Sequence, residues 1–375
     1  HSGTATTSSA NAGSYTISNL SGISIADGSG GAASNYTLTG GTHNFTVNRR
    51  PVGVSGTRLY DATTNAVASD LSTHTNLVGT ETLNLSGTGT IASKNVGSNK
   101  TVSVGTLALA DGSNGGLAAN YTLSGGTHQL TVNQRPLNAT LSRQYDGTTT
   151  SAGSDLSSFD ALQGGETLTL SGSGTSASAN VANGIAMSSN GNLALVDGTG
   201  LASNYSLNST VINITERVLN SSGSKIYDAN TDALAADITL SNLVSGEALN
   251  HSGTATISSA NAGSYTITNL AGITIADGSG GTASNYTLTG GTHNFTVNPK
   301  VVSIQGNKTY DGNTTISSGD ITSITDTVGA ETLVISSGSG TVSSANAATY
   351  ASAGINEGTL TLGNGTNGVL ASNYT

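Results

Sequence analysis

The sequence predicts an all-β protein: a tandem array of Ig-like β-sandwich repeats of about 83 residues, forming an elongated rod. Three observations lead there. The first is composition. Of 375 residues, 35% are apolar, 9% are charged, 51 are glycine, and Trp and Cys are absent. The apolar residues fall in short alternating patches among Thr, Ser, Asn and Gly, which are poor helix formers, and no window sustains a helical period. The second is spacing: many short strands bounded by Gly, Asn and Asp turns follow one another as they do in a sandwich. The third is internal repetition, which decides the architecture.

The dipeptide Tyr-Asp occurs at Tyr60-Asp61, Tyr145-Asp146, Tyr227-Asp228 and Tyr310-Asp311, at spacings of 85, 82 and 83. Asn-Tyr occurs at Asn35-Tyr36, Asn120-Tyr121, Asn204-Tyr205, Asn285-Tyr286 and Asn373-Tyr374. Between these landmarks stand Glu81, Glu166, Glu247 and Glu331, each two residues before a leucine. The expected organisation is the C-terminal half of a repeat (1–49), three full repeats (50–134, 135–216 and 217–299) and a fourth (300–375) lacking its last strand. A longer period is superposed. Residues 1–48 match 251–298 at an offset of 250 with five differences, and the likeness stops abruptly after Asn48 and Asn298. Such near-identity reads as duplication within an array whose length, rather than a unique site, is kept. A repeat of this size buries a modest core of its own. A continuous β-solenoid would carry a period nearer ~20–30 residues.

Within a repeat, period-two alternation marks strands at Val302-x-Ile304, from Leu249 to Ala255, at Tyr265-x-Ile267 and at Ile273-x-Ile275. A closing hairpin is expected from Tyr286-x-Leu288 to Phe295-x-Val297 around Gly290-Gly291.

The recurring residues read as structural. Each Tyr of Tyr-Asp is expected at the core edge, its Asp capping the turn through its own backbone, in preference to a sugar or metal site. The third position is Gly147 or Gly312 in two copies but Ala62 or Ala229 in the others, so a positive φ is not expected to be required there. A cation precedes each Tyr by two residues (Arg58, Arg143, Lys225, Lys308), and an Asp follows each motif aspartate by nine (Asp70, Asp155, Asp237, Asp320). Arg49, Arg50, Arg135, Arg217 and Lys300 sit where one repeat passes to the next. These charges either keep edge strands from pairing with strangers or orient neighbouring repeats. Asp27, Asp111, Asp197 and Asp277 open a Gly-rich loop, with Asn364 in the fifth copy; one carboxylate fits a tight turn better than calcium.

A net charge of −10 argues against a nucleic-acid partner. The absence of any apolar run near ~18 residues argues against membrane insertion in this segment, and His1 opens no signal peptide. The lack of cysteine rules out a disulfide scaffold and favours an exported protein. Catalysis has little to work with. There is no Cys nucleophile, and His43, His128 and His293 share a position beside a Gly-Gly turn without a distinctive Ser and carboxylate. The expectation is a non-enzyme with no cofactor and no metal.

Lys308-Thr309-Tyr310-Asp311-Gly312-Asn313 and Arg143-Gln144-Tyr145-Asp146-Gly147-Thr148 carry a family likeness. They resemble the signature of YDG repeat domains, akin to the mostly bacterial Ig-like (MBG) modules of filamentous-haemagglutinin-like exoproteins. The resemblance covers essentially the whole chain. It implies two-partner secretion, an extracellular location at the bacterial surface or in a biofilm matrix, and an adhesin context. The expected function is therefore the stalk or fibre segment of a large secreted adhesin. The alternative is a lectin-like module that binds exopolysaccharide directly, and a polysaccharide hydrolase is a third reading. Expected partners are neighbouring repeats, other copies of the adhesin and extracellular polysaccharide.

Asn-x-Ser/Thr sequons at Asn35, Asn44, Asn120, Asn204, Asn285, Asn294 and Asn373 raise glycosylation as a hypothesis. The joints are short and often contain Pro, as in Val47-Asn48-Arg49-Arg50-Pro51 and Val132-Asn133-Gln134-Arg135-Pro136. They predict a semi-rigid rod of quasi-independent beads in which the short connection dominates.

Overall fold

The computed structural model describes residues 1–367 and 369–375. Among them the regular structure is β-strand, interrupted only by three-residue 3₁₀ turns, so the protein is all-β as expected. The chain divides into two compact units. One comprises His1–Leu141, Thr150–Ser176 and Ala186–Val211; the other comprises Ser142–Thr149, Ala177–Ile185 and Ile212–Thr375.

In the second unit, the repeat at 217–299 is organised around one curled sheet. Its strand order is Asp232–Leu234, Leu249–Ile257, Gly263–Asn269, His293–Asn298, Asn220–Ile226 and Ile238–Ser241. The last strand in sequence is thus central in space. His293–Asn298 runs antiparallel to Gly263–Asn269 and parallel to Asn220–Ile226. Its alternation explains the placement: His293, Phe295 and Val297 point inward and are buried, while Asn294 and Thr296 point outward. Phe295 is 0% exposed and lies over Gly223, where an added Cβ would come within 2.8 Å of the ring.

One glycine bends the sheet. Leu249–Ile257 pairs with Ile273–Asp277 in its first half and with Asp232–Leu234 in its second. The change of partner falls at Gly253, whose φ is 102° and whose added Cβ would lie 1.9 Å from the Gly272 carbonyl oxygen. Gly3, Gly87, Gly172 and Gly338 hold the same place in the other copies with φ of 95°, 84°, 80° and 94°. Only glycine fits both the left-handed backbone and the close approach.

The expected closing hairpin is corrected. Tyr286–Thr287 does not pair with His293–Asn298 but runs parallel to Arg217–Val218 in a separate two-stranded sheet. The intervening loop is closed instead by the His293 Nε2 donating to the Leu288 carbonyl at 2.8 Å. With that bond satisfied by a side chain, the two segments are free to enter different sheets.

In the first unit, the repeat at 50–134 has the same plan. Its sheet order is Asn65–Val67, Thr88–Ile91, Gly97–Ser103, His128–Asn133, Gly53–Leu59 and Thr73–Thr75. Arg50–Pro51 pairs with Tyr121–Thr122 in parallel. The buried core of this unit runs without a break from Val52, Leu71 and Leu130 through Tyr60 to Leu137, Leu168 and Tyr205. It therefore spans residues of two successive repeats. The corresponding core of the second unit joins Phe295 and Tyr227 to Leu333, Val369 and Tyr374. Beads with separate cores are not what forms: at each of these boundaries the hydrophobic core is shared.

The Gly-rich loops opened by aspartate are turns. Asp277 Oδ1 accepts from the Ala283 N–H at 2.7 Å, Asp197 Oδ1 from Ala202 at 2.6 Å and Asp111 Oδ1 from Ala118 at 2.7 Å. Each carboxylate thereby fixes the start of the 3₁₀ turn that carries the following Asn-Tyr.

Candidate functional site: the joint between repeats

The two recurring tyrosines, which the sequence treats as separate landmarks, meet at a recurring glutamate. In the first unit, Tyr60 of one repeat and Tyr205 of the next pack edge to face with ring centroids 5.3 Å apart. Glu166 lies between their hydroxyls: Tyr60 donates to Oε1 at 2.6 Å and Tyr205 to Oε2 at 2.8 Å. In the second unit, Tyr145 and Tyr286 clasp Glu247 at 2.6 and 2.7 Å, their rings 5.4 Å apart. Tyr227 donates to Glu331 at 2.8 Å and Tyr374 donates to its other oxygen, with rings 5.3 Å apart. Each Asn-Tyr hydroxyl also accepts a backbone N–H, from Gln163, Val244 or Val328 at 3.1, 3.0 and 2.9 Å. Those donors open the tight turns that present the glutamates, closed by Glu166, Glu247 and Glu331 N–H bonds to the same three residues' carbonyls at 3.0 Å each. Each carboxylate thus accepts, one on each oxygen, from a tyrosine of each of two repeats.

A second clasp lies beside the first. The Asn204 side chain accepts from the Val96 N–H at 2.9 Å and donates to Asn95 Oδ1 at 3.0 Å, reaching back into the preceding repeat. Asn285 does the same to Val181 and Asn180, Asn373 to Ala262 and Asn261, and Asn120 to Ala12 and Asn11, all between 2.8 and 3.0 Å. Asn204, Asn285 and Asn373 are each 1% exposed. Their sequons therefore have no room for a glycan in the folded state, whereas Asn44 and Asn294 are exposed.

The outermost tyrosines differ. Tyr310 and Tyr36 are 67% and 70% exposed, while Tyr60, Tyr145, Tyr227, Tyr121, Tyr205 and Tyr286 are buried. Among the described residues no glutamate accepts from the Tyr310 hydroxyl, and the ring stands in solvent. Glu81 receives the Tyr121 hydroxyl on Oε2, the oxygen that the other glutamates offer to the Asn-Tyr tyrosine.

Burial and the adjoining glutamate push the hydroxyls of Tyr145, Tyr205 and Tyr227 up to about 12. Burial alone would raise the Glu166 carboxyl. The Lys94 ammonium, 2.6 Å from Oε1, and the two tyrosine hydroxyls outweigh it and hold that group below its ordinary value. A raised tyrosine pKa means that the folded joint holds its proton more tightly than the unfolded chain. Its stabilisation is full below the ordinary tyrosine value of 10.0 and is lost as pH rises towards about 12. An alkaline unfolding transition between those limits, followed by circular dichroism against pH, is the expected outcome.

The Tyr-Asp loops are closed within each repeat. Arg58 contacts Asp61 at 2.9 Å, Lys225 contacts Asp228 at 2.8 Å, Lys308 contacts Asp311 at 3.0 Å, and Arg143 pairs with Asp146. Asp61, Asp146, Asp228 and Asp311 also cap their own turns through the N–H two residues on. Asp70 is 4.0 Å from Arg58, and Asp155 and Asp320 cap local N–H groups.

The expectation about the third position is corrected. Ala62 and Ala229 adopt φ of 63° and 61°, alongside Gly147 at 78° and Gly312 at 80°, because the capped loop imposes a left-handed residue in every copy. Alanine there is strained by about 1 kcal/mol. Ala229→Gly is expected to raise stability by about that much in a denaturant titration.

Of the junction cations, Arg135 reaches the Tyr60 carbonyl at 3.3 Å and Arg217 the Tyr145 carbonyl at 3.4 Å, each in the preceding repeat. Arg50 and Arg217 bind Asn76 and Asn242 in their own repeats, Arg49 is exposed, and Lys300 bridges to Tyr374 through its backbone. They meet carbonyls rather than carboxylates. Among the described residues Lys94–Glu166 is the ion pair that crosses a joint. The buried Ser221–His293 contact at 2.9 Å belongs to the loop closure, since the other ring nitrogen is bound to Leu288.

The glutamates and the asparagines at 95, 180 and 261 carry no assigned role in the sequence. Their signal is present nonetheless: in a charge-poor chain, four of six glutamates occupy one repeat position.

The curled sheets, shared cores and reiterated clasp define a tandem all-β repeat protein whose units interlock. Residues 46–129, 127–212 and 215–294 each match the YDG domain, together about two thirds of the chain, and the chain belongs to that family. A comparison with curated proteins gives no match.

Proposed function

We propose that the chain is a non-enzymatic stalk or fibre segment of a large secreted bacterial adhesin, acting outside the cell at the surface or in a biofilm matrix. In this reading each repeat is an Ig-like sandwich, its curled main sheet closed by the small two-stranded sheets, and successive repeats extend as a rod. The observation that carries it is the reiteration of one joint: the same tyrosine pair around a glutamate, with the same asparagine clasp, at three boundaries. A joint of this kind holds its neighbours by short directional bonds and shared core rather than by a flexible linker. It also uses Tyr60, Tyr145, Tyr205, Tyr227, Tyr286 and Tyr374 internally, which leaves those rings unavailable as stacking platforms for sugars and favours a stalk over a lectin.

Small-angle scattering tests the rod. With each repeat adding roughly 30–40 Å, the whole chain is expected to reach a maximum dimension of about 120–160 Å. A radius of gyration near ~21 Å, as for a compact domain of this length, would contradict it. Saturable binding of exopolysaccharide to the isolated chain would favour the lectin-like alternative.

A further inference from the structure

One imidazole occupies a place that the other repeats give to hydrocarbon. His74 lies inward on the edge strand Thr73–Thr75, where it pairs with Val54. On its other side Val54 pairs with His128. In the repeat at 217–299, Ser221 stands between Leu240 and His293 in the same two registers. His74 is therefore the counterpart of Leu240, and of Phe159 and Ile324 in the remaining repeats, all three packed against core.

The exchange leaves polar atoms enclosed by carbon. The His74 Nε2 is shut off from solvent without a hydrogen-bond partner, and Val54 beside it is 0% exposed. Across Val54, the His128 Nδ1 is likewise enclosed and unpartnered, whereas the His293 Nδ1 receives the Ser221 hydroxyl at 2.9 Å. The central strand is thus fastened here by one ring bond, from His128 Nε2 to the Leu123 carbonyl at 2.8 Å, against two in the repeat at 217–299. The charged groups on the surrounding elements are engaged elsewhere. Arg58 meets Asp61 and lies 4.0 Å from Asp70, and Arg50 binds Asn76. Lys100 reaches the Ser93 carbonyl, and Glu81 takes the Tyr121 hydroxyl. Among the described residues no carboxylate pairs with the His74 ring. By contrast His251, in the repeat at 217–299, faces the Ala235 and Ile238 carbonyls at 3.0 and 2.9 Å, and the repeat at 135–216 has no histidine.

We propose that the repeat at 50–134 carries an acid-operated latch: protonation of His74 frees the edge strand Thr73–Thr75 from Gly53–Ser55, while the corresponding edges of the other repeats stay closed. A charge on the ring meets no acceptor while the strand is docked and meets water once it is released. Burial accordingly holds His74 below its ordinary value of 6.5. The released strand binds the proton more readily, so the latch is closed above 6.5 and weakens as pH falls below it. The three residues move between two anchors. One is Leu71, 0% exposed; the other is Asn76, whose side chain donates to the Pro51 carbonyl at 2.6 Å. Opening bares the backbone row of Gly53–Ser55 and leaves the central strand in place. The inference rests on the repeat geometry and not on the adhesin reading.

Hydrogen exchange of the whole chain at about pH 7.5 and about pH 5.0, each corrected for the intrinsic exchange rate, tests this. Protection at Gly53–Ser55 and Thr73–Thr75 is expected to fall by about five- to thirtyfold, the upper limit being set by titration from 6.5 in the released strand. The paired segments Ser221–Gly223 and Ile238–Leu240 should hold constant within about twofold. His74→Leu, which installs the residue found at 240, should fold and lose the response. In the parent, NMR of the His74 ring should show it titrating below 6.5, a readout that needs no variant. Protection that does not change with pH, an equal fall in the repeat at 217–299, the same fall in His74→Leu, or a ring titrating at or above 6.5 would overturn the proposal.

Discussion

Replacing Glu247 by alanine is expected to destabilise the chain by about 2–4 kcal/mol, although its side chain is only half-buried. The carboxylate satisfies two hydroxyls at once, those of Tyr145 and Tyr286, which are 5% and 3% exposed. Its loss leaves both tyrosines without the acceptor, and each unpaired buried hydroxyl costs about 1–3 kcal/mol. The consequence falls on two repeats together. Tyr145 lies 102 residues before Glu247 in the preceding repeat, whereas Tyr286 belongs to the repeat of Glu247 itself. Hydrogen exchange should accordingly speed up on both sides of the boundary. Protection lost on the Glu247 side alone would mean that the clasp does not couple the repeats. Glu166→Ala should also leave Lys94, whose ammonium sits 2.6 Å from the carboxylate, without its ion-pair partner, and the salt dependence of that variant should differ from that of Glu247→Ala.

Phe295→Ala is expected to cost about 3–5 kcal/mol, by loss of burial plus the cavity left behind. Phe295 is 0% exposed at the centre of its sheet, against a glycine whose lack of Cβ admits the ring. Its largest effect should fall within the repeat at 217–299, read as loss of protection in Gly263–Asn269 and Asn220–Ile226, the two strands it bridges. The same substitution at Phe45, which is 52% exposed, should cost far less. The pair separates a core residue from a joint residue, since equal total losses would be distributed differently along the chain.

Much of the fold is legible in the sequence because alternation and turn residues act locally. His293-x-Phe295-x-Val297 reads as a strand from its own pattern, and the Asp-Gly loops read as turns. What is not legible is which strand pairs with which. The last strand of a repeat lies centrally and parallel to the second, a pairing between residues about 72 apart that no local pattern encodes. The hairpin around Gly290-Gly291 is the natural local reading, and it fails because His293 closes the loop with a side chain. Alanine at positions 62 and 229 hides a left-handed backbone that its capped loop enforces. The joint is harder still. Tyr60, Glu166 and Tyr205 each recur and are visible as landmarks, yet their convergence depends on one repeat following another in space. The recurrence of a glutamate in so uncharged a chain is the residue-level trace of that contact.

A double-mutant cycle between Tyr145→Phe and Glu247→Ala, read by chemical denaturation, tests the claim that successive repeats are locked through a tyrosine-glutamate clasp. Removing only the hydroxyl oxygen keeps the ring packed against Tyr286 at a centroid separation of 5.4 Å, so the cycle isolates the hydrogen bond from the core. The account predicts an interaction energy of about 1–2 kcal/mol between two residues 102 apart in sequence. Additive effects within about 0.3 kcal/mol would contradict it.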